Sequence, residues 1–260
     1  MRTIYEIENF ILTVIAYLRF KLNKLNLSWI RENFSESENL LLRENLWQDH
    51  FPWANTAKDE LQIYQRENIV KDDITRLIIK KEPKCHVGFY WYNGNIVYAD
   101  RKYSSSMLYS NERFGYGKFL IRCRVPSSIG IWWAFWLYFG EKNSINEIDI
   151  LEMNNTNKRD VYRNLQTVHW GTDYDKGHKQ FGNSIRFPFK LSDDYHYFTV
   201  EWSKGKVVWR VDGIKTGICR IGVPMFPLNI IVNVAITNQV NEKEFVLPDQ
   251  MRIEEIRYSR

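Results

Sequence analysis

The sequence predicts an all-β domain, an antiparallel sandwich or barrel, carried behind a single N-terminal helix. Three observations predict it. A helical period of apolar residues is confined to residues 3–26. From about residue 45 short runs rich in β-branched and aromatic residues take over. Turn signals separate those runs, and no helical stretch lies between them. The 260 residues suffice for one large domain or two small ones, but no internal repeat or second change of composition divides them. One β domain is the economical reading.

The helix comes first. Ile4, Ile7, Ile11, Val14, Leu18, Leu22 and Leu25 recur at spacings of three or four, which puts them on one face. Glu6 and Glu8 near its start and Arg19, Lys21 and Lys24 near its end suit the helix dipole. The expectation is an amphipathic helix whose apolar stripe docks on the domain or on a partner. An export signal is a second reading, which Arg2 and the apolar Phe10–Leu18 stretch support. The acidic pair and the lack of an A-x-A-like cleavage site speak against it. An interfacial membrane anchor is the third. Residues 27–45 are polar and read as a connector. The chain thus divides into residues 1–44, helix and connector, and 45–260, the β domain.

The strand runs follow: Asn68–Val70, Thr75–Ile79, Phe119–Val125, Trp132–Phe139, Glu147–Leu151, Leu165–His169, Tyr197–Trp202, Val207–Val211 and Asn229–Ile236. Asn93-Gly94-Asn95, Lys204-Gly205-Lys206 and Asp212-Gly213 punctuate them. Alternation in Phe119–Val125 puts Phe119, Ile121, Cys123 and Val125 over a core and turns Leu120, Arg122 and Arg124 outward. Trp132–Phe139 is apolar on both faces, so one face needs cover from a second layer or a ligand.

Composition excludes several classes. Charged residues are 26% and hydrophobic ones 44%, which excludes a disordered or fibrous chain. The longest apolar runs, Phe10–Leu18 and Ile131–Phe139, have nine residues each, half of what spans a bilayer. A net charge of +5 with interspersed signs favours no polyanion, and no nucleic-acid module is present. Cys85, Cys123 and Cys219 form no C-x-x-C, and the five His have no metal-ligand spacing, so no metal site is expected. Aromatics stand out at 15% with ten Trp, and Trp and Tyr suit flat amphipathic ligands such as sugar rings.

The richest segment is Asn146-Glu147-Ile148-Asp149-Ile150-Leu151-Glu152-Met153. In a regular strand Glu147 and Asp149 share a face and Glu152 points into the core, where an unpaired carboxylate costs several kcal/mol. One extra residue, a β-bulge near Ile150–Leu151, returns Glu152 to the face of the other two. Glu147 and Glu152 then stand about 13 Å apart at Cα. Leaning together, their carboxyl groups reach the roughly 5–5.5 Å separation of a retaining glycosidase. Acids this close cannot all ionise cheaply, so one proton is held at neutral pH. A solvated acidic face or a calcium site is the bland alternative.

The run Glu147-Ile148-Asp149-Ile150-Leu151-Glu152 resembles the E-x-D-x-x-E signature of glycoside hydrolase family 16. Tyr116-Gly117-Lys118-Phe119 through Arg122, Gly130–Leu137, Val168-His169, Phe198–Trp202, Val211-Asp212-Gly213 and Asn229–Val234 follow the family's order. The resemblance covers roughly residues 45–260. It implies a curved jelly-roll β-sandwich, concanavalin A-like, that cuts β-glycosidic bonds inside a polysaccharide with retention. Glu147 is then the nucleophile, Glu152 the acid/base, and Asp149 tunes both. By the same resemblance His169 stands near the nucleophile, Trp132 stacks on a sugar and Trp136 shares its face. Arg122 and Asn233 bond sugar hydroxyls, and Trp170 lines the rim.

There are departures. Leu120 replaces the family's usual Glu, so a sugar contact should be missing, and Trp133 replaces Pro. The bulged signature points to a β-1,3- or β-1,3/1,4-glucan. A galactan hydrolase of the agarose, porphyran or carrageenan type, a transglycosylase and a lectin-like binder are the alternatives. A sulfated galactan wants extra Arg or Lys in the cleft. No cofactor is expected. The family commonly carries a structural calcium on its convex side, for which Asp49 and Glu254 are poorly matched ligands. The expected partner is a polysaccharide met by a monomer with no integral membrane span, and a polymeric substrate argues for an extracellular or periplasmic place.

Overall fold

The computed structural model describes residues 2–140, 144–172, 176–239 and 241–260. Two sheets face each other across the core, as expected of a jelly-roll sandwich. The seven-stranded sheet runs Trp47–Gln48, Met107–Phe114, Leu228–Ile236, Ile131–Tyr138, Ile145–Asn154, Arg163–Gly171, Lys179–Arg186. The nine-stranded sheet runs Ile214–Cys219, Lys206–Val211, His196–Ser203, Gly117–Arg124, Asp249–Ser259, Thr75–Tyr92, Asn95–Ser105, Gln62–Tyr64, with Ile69–Lys71 beside Thr75–Tyr92. Pairing is antiparallel except between Gln62–Tyr64 and Asn95–Ser105.

Side-chain alternation builds the core. Phe119, Ile121 and Cys123 are fully buried between the sheets, as are Ile131, Trp133, Phe135 and Leu137 of the facing layer. The other face of Ile131–Tyr138, carrying Trp132, Ala134, Trp136 and Tyr138, floors a cleft. That accounts for a strand apolar on both sides. Two turns use left-handed backbone at both central residues, Asn93-Gly94 and Asp212-Gly213, which fits the twist of a two-residue hairpin.

The segment read as a connector folds in part. Helix α2, Leu27–Phe34, follows helix α1, Arg2–Lys21. Ile30 and Phe34 lie four residues apart on one face of α2 and close over Leu120, which is fully buried on the outer side of Gly117–Arg124. Leu120 is therefore a helix-docking residue, and the sugar contact thought to be lost there is not in question. Polar composition hid α2 because two apolar anchors are all that one short docked helix needs.

Helix α1 ends where Asn23 takes a left-handed conformation and Lys24 N–H bonds back to the Arg19 carbonyl at 2.8 Å. It lies against Ile214–Cys219 and Lys179–Arg186, the edge strands of the two sheets. The Asn9 side chain acts as a surrogate strand there: Nδ2 donates to the Ile218 carbonyl and Oδ1 accepts the Ile218 N–H, both at 2.8 Å. The helix docks, but by the face carrying Asn9, Ala16 and Phe20. The apolar stripe expected to dock faces solvent.

Candidate active site

The carboxylate strand, Ile145–Asn154, lies between Ile131–Tyr138 and Arg163–Gly171. On one side Ala134 faces Glu152, Phe135 faces Leu151 and Trp136 faces Asp149, which leaves Ile150 without a partner. On the other, Leu165 faces Glu152 while Thr167 faces Asp149. One residue is inserted there, the bulge expected near Ile150–Leu151. Ile148, Ile150 and Leu151 turn into the core, and Glu147, Asp149 and Glu152 all line the cleft.

A bulge strands backbone groups, and buried side chains collect them. Asn164 Oδ1 accepts the Glu152 N–H at 2.8 Å and Asn164 Nδ2 donates to the Ile150 carbonyl at 3.0 Å. Across the core, Trp209 Nε1 donates to the Asp149 carbonyl at 2.8 Å. The kink is thereby pinned from both sides.

The cleft has a volume of about 310 Å³. Its floor holds the three acids with Trp132, Ala134, Trp136, Tyr138 and Asn233, and its wall holds Phe51, Trp53, Ala57 and Glu60. Asp149 is 5% exposed. Burial first, and then the charge of Glu152, push its carboxyl well above the usual range, while a hydrogen bond with Glu147 opposes them. Burial also raises Glu152, with His169 pulling the other way. His169 Nε2 is 2.9 Å from Asp149 Oδ2 and 3.9 Å from Glu147 Oε1. Among the described residues Asp149 Oδ2 nonetheless accepts no well-aligned hydrogen bond, so this contact is one of proximity. His169 Nδ1 meets His178 Nε2 at 2.7 Å, and the two rings stack. Tyr138 is pushed up to about 12 by burial, then by Glu147, so its hydroxyl keeps its proton.

The expected site residues separate into two groups. Glu147, Asp149, Glu152, Trp132, Trp136 and Asn233 line the cleft, and His169, paired with Glu147 on the neighbouring strand, touches its acids from the side. Asn233 spends its amide internally: Oδ1 accepts Trp136 Nε1 at 2.8 Å and Nδ2 donates to the Tyr64 hydroxyl at 3.1 Å. It holds Trp136 in place. Arg122 is not in the cleft. It sits on the nine-stranded sheet, ion-paired with Glu254 and lying over Tyr195 and Tyr197, because its strand turns only its apolar face inward. Trp170 likewise turns away from His169 and covers Gly222.

Sequence reasoning missed the wall. Phe51 and Trp53 stack with centroids 5.3 Å apart, and Phe51 meets Trp136 edge-on at 6.2 Å. The Phe51-Pro52-Trp53 cluster was the available signal. Glu60 was missed too: it accepts bonds from Gln62 at 2.6 Å and Tyr64 at 3.1 Å, and burial raises it to about 7.

Glu147, Asp149 and His169 offer ligand atoms within 4.8 Å of one another, which is also a cation-site geometry. Of the residues weighed for calcium, Asp49 pairs with His50 and Glu254 with Arg122.

An acid-floored, aromatic-walled cleft on one sheet of a β-sandwich defines a carbohydrate-active sandwich. The chain belongs to the glycosyl hydrolases family 16, whose model matches residues 58–237. It is 28% identical over 186 residues to a glucan endo-1,3-beta-glucosidase of Cryptopygus antarcticus, covering 64% of this chain and 65% of that protein. Against a beta-glucanase of Rhodothermus marinus it is 33% identical over 178 residues, covering 62% and 53%. The matched part thus spans less than two thirds of either relative. The laminarinase catalytic domain from Thermotoga maritima MSB8 shares the fold, with a TM-score of 0.64 at 22% identity over 86% of this chain and 96% of that one.

Proposed function

We propose that this protein hydrolyses internal β-glycosidic bonds of a neutral polysaccharide, a β-1,3- or β-1,3/1,4-glucan, with retention of configuration. One observation carries the reading: the bulge brings Glu147 and Glu152 into one cleft beside a buried, proton-holding Asp149. Glu147 attacks the anomeric carbon while Glu152 gives its proton to the departing glycosidic oxygen. Glu152, now a carboxylate, takes a proton from water, and that water displaces Glu147 from the anomeric carbon. Burial and the charge of Glu152 keep the proton on Asp149, so it sets no further negative charge beside Glu147, the anionic nucleophile. Raised by burial, Glu152 is the member of the pair suited to enter as an acid.

Trp132 and Trp136 on the floor and Trp53 on the wall supply faces for sugar rings. No Arg or Lys lines the cleft among the described residues, which favours a neutral glucan over a sulfated galactan. The two named relatives act on glucans by their names, and that supports the same choice. Reducing ends released from laminarin, lichenan and agarose test it. Cleavage of laminarin or lichenan but not agarose is expected, with Glu147→Gln inactive yet still folded. Turnover of agarose alone, or products longer than the substrate, would overturn the hydrolase-on-glucan reading.

A further inference from the structure

The side of α1 turned away from the domain is more apolar than the side that docks. Ile4, Ile7, Ile11, Val14, Leu18 and Leu22 are each between 44% and 66% exposed. From Ile4 to Leu22 the stripe runs about 27 Å at 1.5 Å per residue. Phe10, Ile15 and Tyr17 are exposed as well and widen it. At about 100° per residue the exposed apolar positions cover an arc of roughly 160°. A contiguous surface of this size on a water-soluble domain marks an interaction site.

The charges around it are selective. Both helix acids are neutralised by arginines, Glu6 by Arg2 and Glu8 by Arg220 at 2.7 Å. Lys21 and Lys24, exposed at the C-terminal end, enter no ion pair among the described residues. Beside the helix, the hairpin Lys206–Val211 and Ile214–Cys219 adds Lys206 and Lys215. These cations are close enough to act on one another. Burial, and then Arg210, Arg220 and Lys206 against the opposing pull of Glu8, lower the Lys215 ammonium.

We propose that α1 is an interfacial anchor that lays the protein on an anionic lipid surface, with the stripe in the acyl boundary and the lysines among the headgroups. Breadth and charge together argue for a bilayer. A helix-pairing seam is two residues wide with charged flanks, whereas here the flanks Phe10, Ile15 and Tyr17 are apolar too. An interfacial helix has this broad apolar face bordered by Lys and Arg. Among the described residues no helix is long and apolar enough to cross a membrane, and the proposed contact lies in the plane of the surface. The carboxylate strand lies two strands in from the edge that α1 covers, so docking would hold the cleft beside the surface.

The test is sedimentation of the full chain with phosphatidylcholine vesicles made with and without phosphatidylglycerol. Co-sedimentation with the anionic vesicles, weakened by salt, is expected. The triple variant Ile7→Ser, Ile11→Ser, Leu18→Ser should bind at least about tenfold more weakly with an unchanged melting curve. Lys21→Glu with Lys24→Glu should remove the preference for phosphatidylglycerol. Wild-type protein left in the supernatant with both vesicle types would overturn the proposal. So would a dimer, seen by light scattering, that the triple variant converts to a monomer while vesicle binding is nil, since a second copy would then cover the stripe.

Discussion

Asn164 holds Glu152 by the backbone: its Oδ1 accepts the Glu152 N–H at 2.8 Å, and its Nδ2 closes the Ile150 carbonyl at 3.0 Å. A fully buried amide thus substitutes for the ladder bonds that the bulge removes. Asn164→Leu keeps the number and branching of the side-chain heavy atoms but orphans two buried backbone groups, a loss of about 3 kcal/mol. Urea unfolding should show that loss, and kcat should fall more than KM rises because Glu152 loses its aim. Unchanged kcat in a destabilised variant would mean that the bulge holds without the amide.

Glu152 as proton donor matters in proportion to how badly the leaving oxygen needs a proton. Glu152→Ala should lose on the order of 100- to 10,000-fold on a glucan and far less on an aryl glycoside with an acidic phenol leaving group. Equal losses on both substrates would remove Glu152 from the acid role.

Glu60 links the cleft wall to pH. Its folded value is about 7 against an ordinary 4.5, so the folded protein binds more protons than the unfolded chain between those values. Stability is therefore full below about pH 4.5 and declines as pH rises to about 7, by about 3 kcal/mol from this group. Burial raises Asp149 and Glu152 in the same direction, so part of the decline remains without Glu60. Glu60→Gln should lose less stability than wild type between pH 5 and pH 8 in urea melts. Parallel losses would show that Glu60 ionises normally in the fold.

Trp53 sits on the wall, its ring 6.3 Å from that of Tyr138 on the floor and stacked on Phe51. Trp53→Ala should raise KM for a polymer about tenfold, as loss of one aromatic face implies, with little change in kcat. A kcat effect with constant KM would place Trp53 in the chemistry rather than in binding.

Leu120 tests the helix reading. Leu120→Glu restores the residue that the resemblance leads one to expect, and buries a charge beneath Ile30 and Phe34. Several kcal/mol of destabilisation and no gain in sugar affinity are expected. Tighter sugar binding would mean that the position faces substrate.

Local patterns carried the sandwich and the acid triplet into view. Alternation around Phe119 and Ile121 fixed which face of that strand meets the core. The cost of burying Glu152 required a bulge. Both inferences depend on neighbours within one strand. What stayed hidden depends on which sheet a strand joins. Arg122 carries a polar pattern suited to sugars, yet its strand belongs to the sheet opposite the cleft. Phe51, Trp53 and Glu60 reach the wall from a loop whose course no periodicity encodes. The stripe on α1 was legible, but its direction was not, because Asn9 and Phe20 find better partners on the domain than the isoleucines do.

The first-formed product anomer is the most direct measurement. Proton NMR during cleavage of laminarin should show the β anomer of the new reducing end accumulating before mutarotation, since Glu147 and Glu152 act by two successive inversions. The α anomer appearing first would mean that water attacks directly, and that Glu147 forms no bond to the sugar.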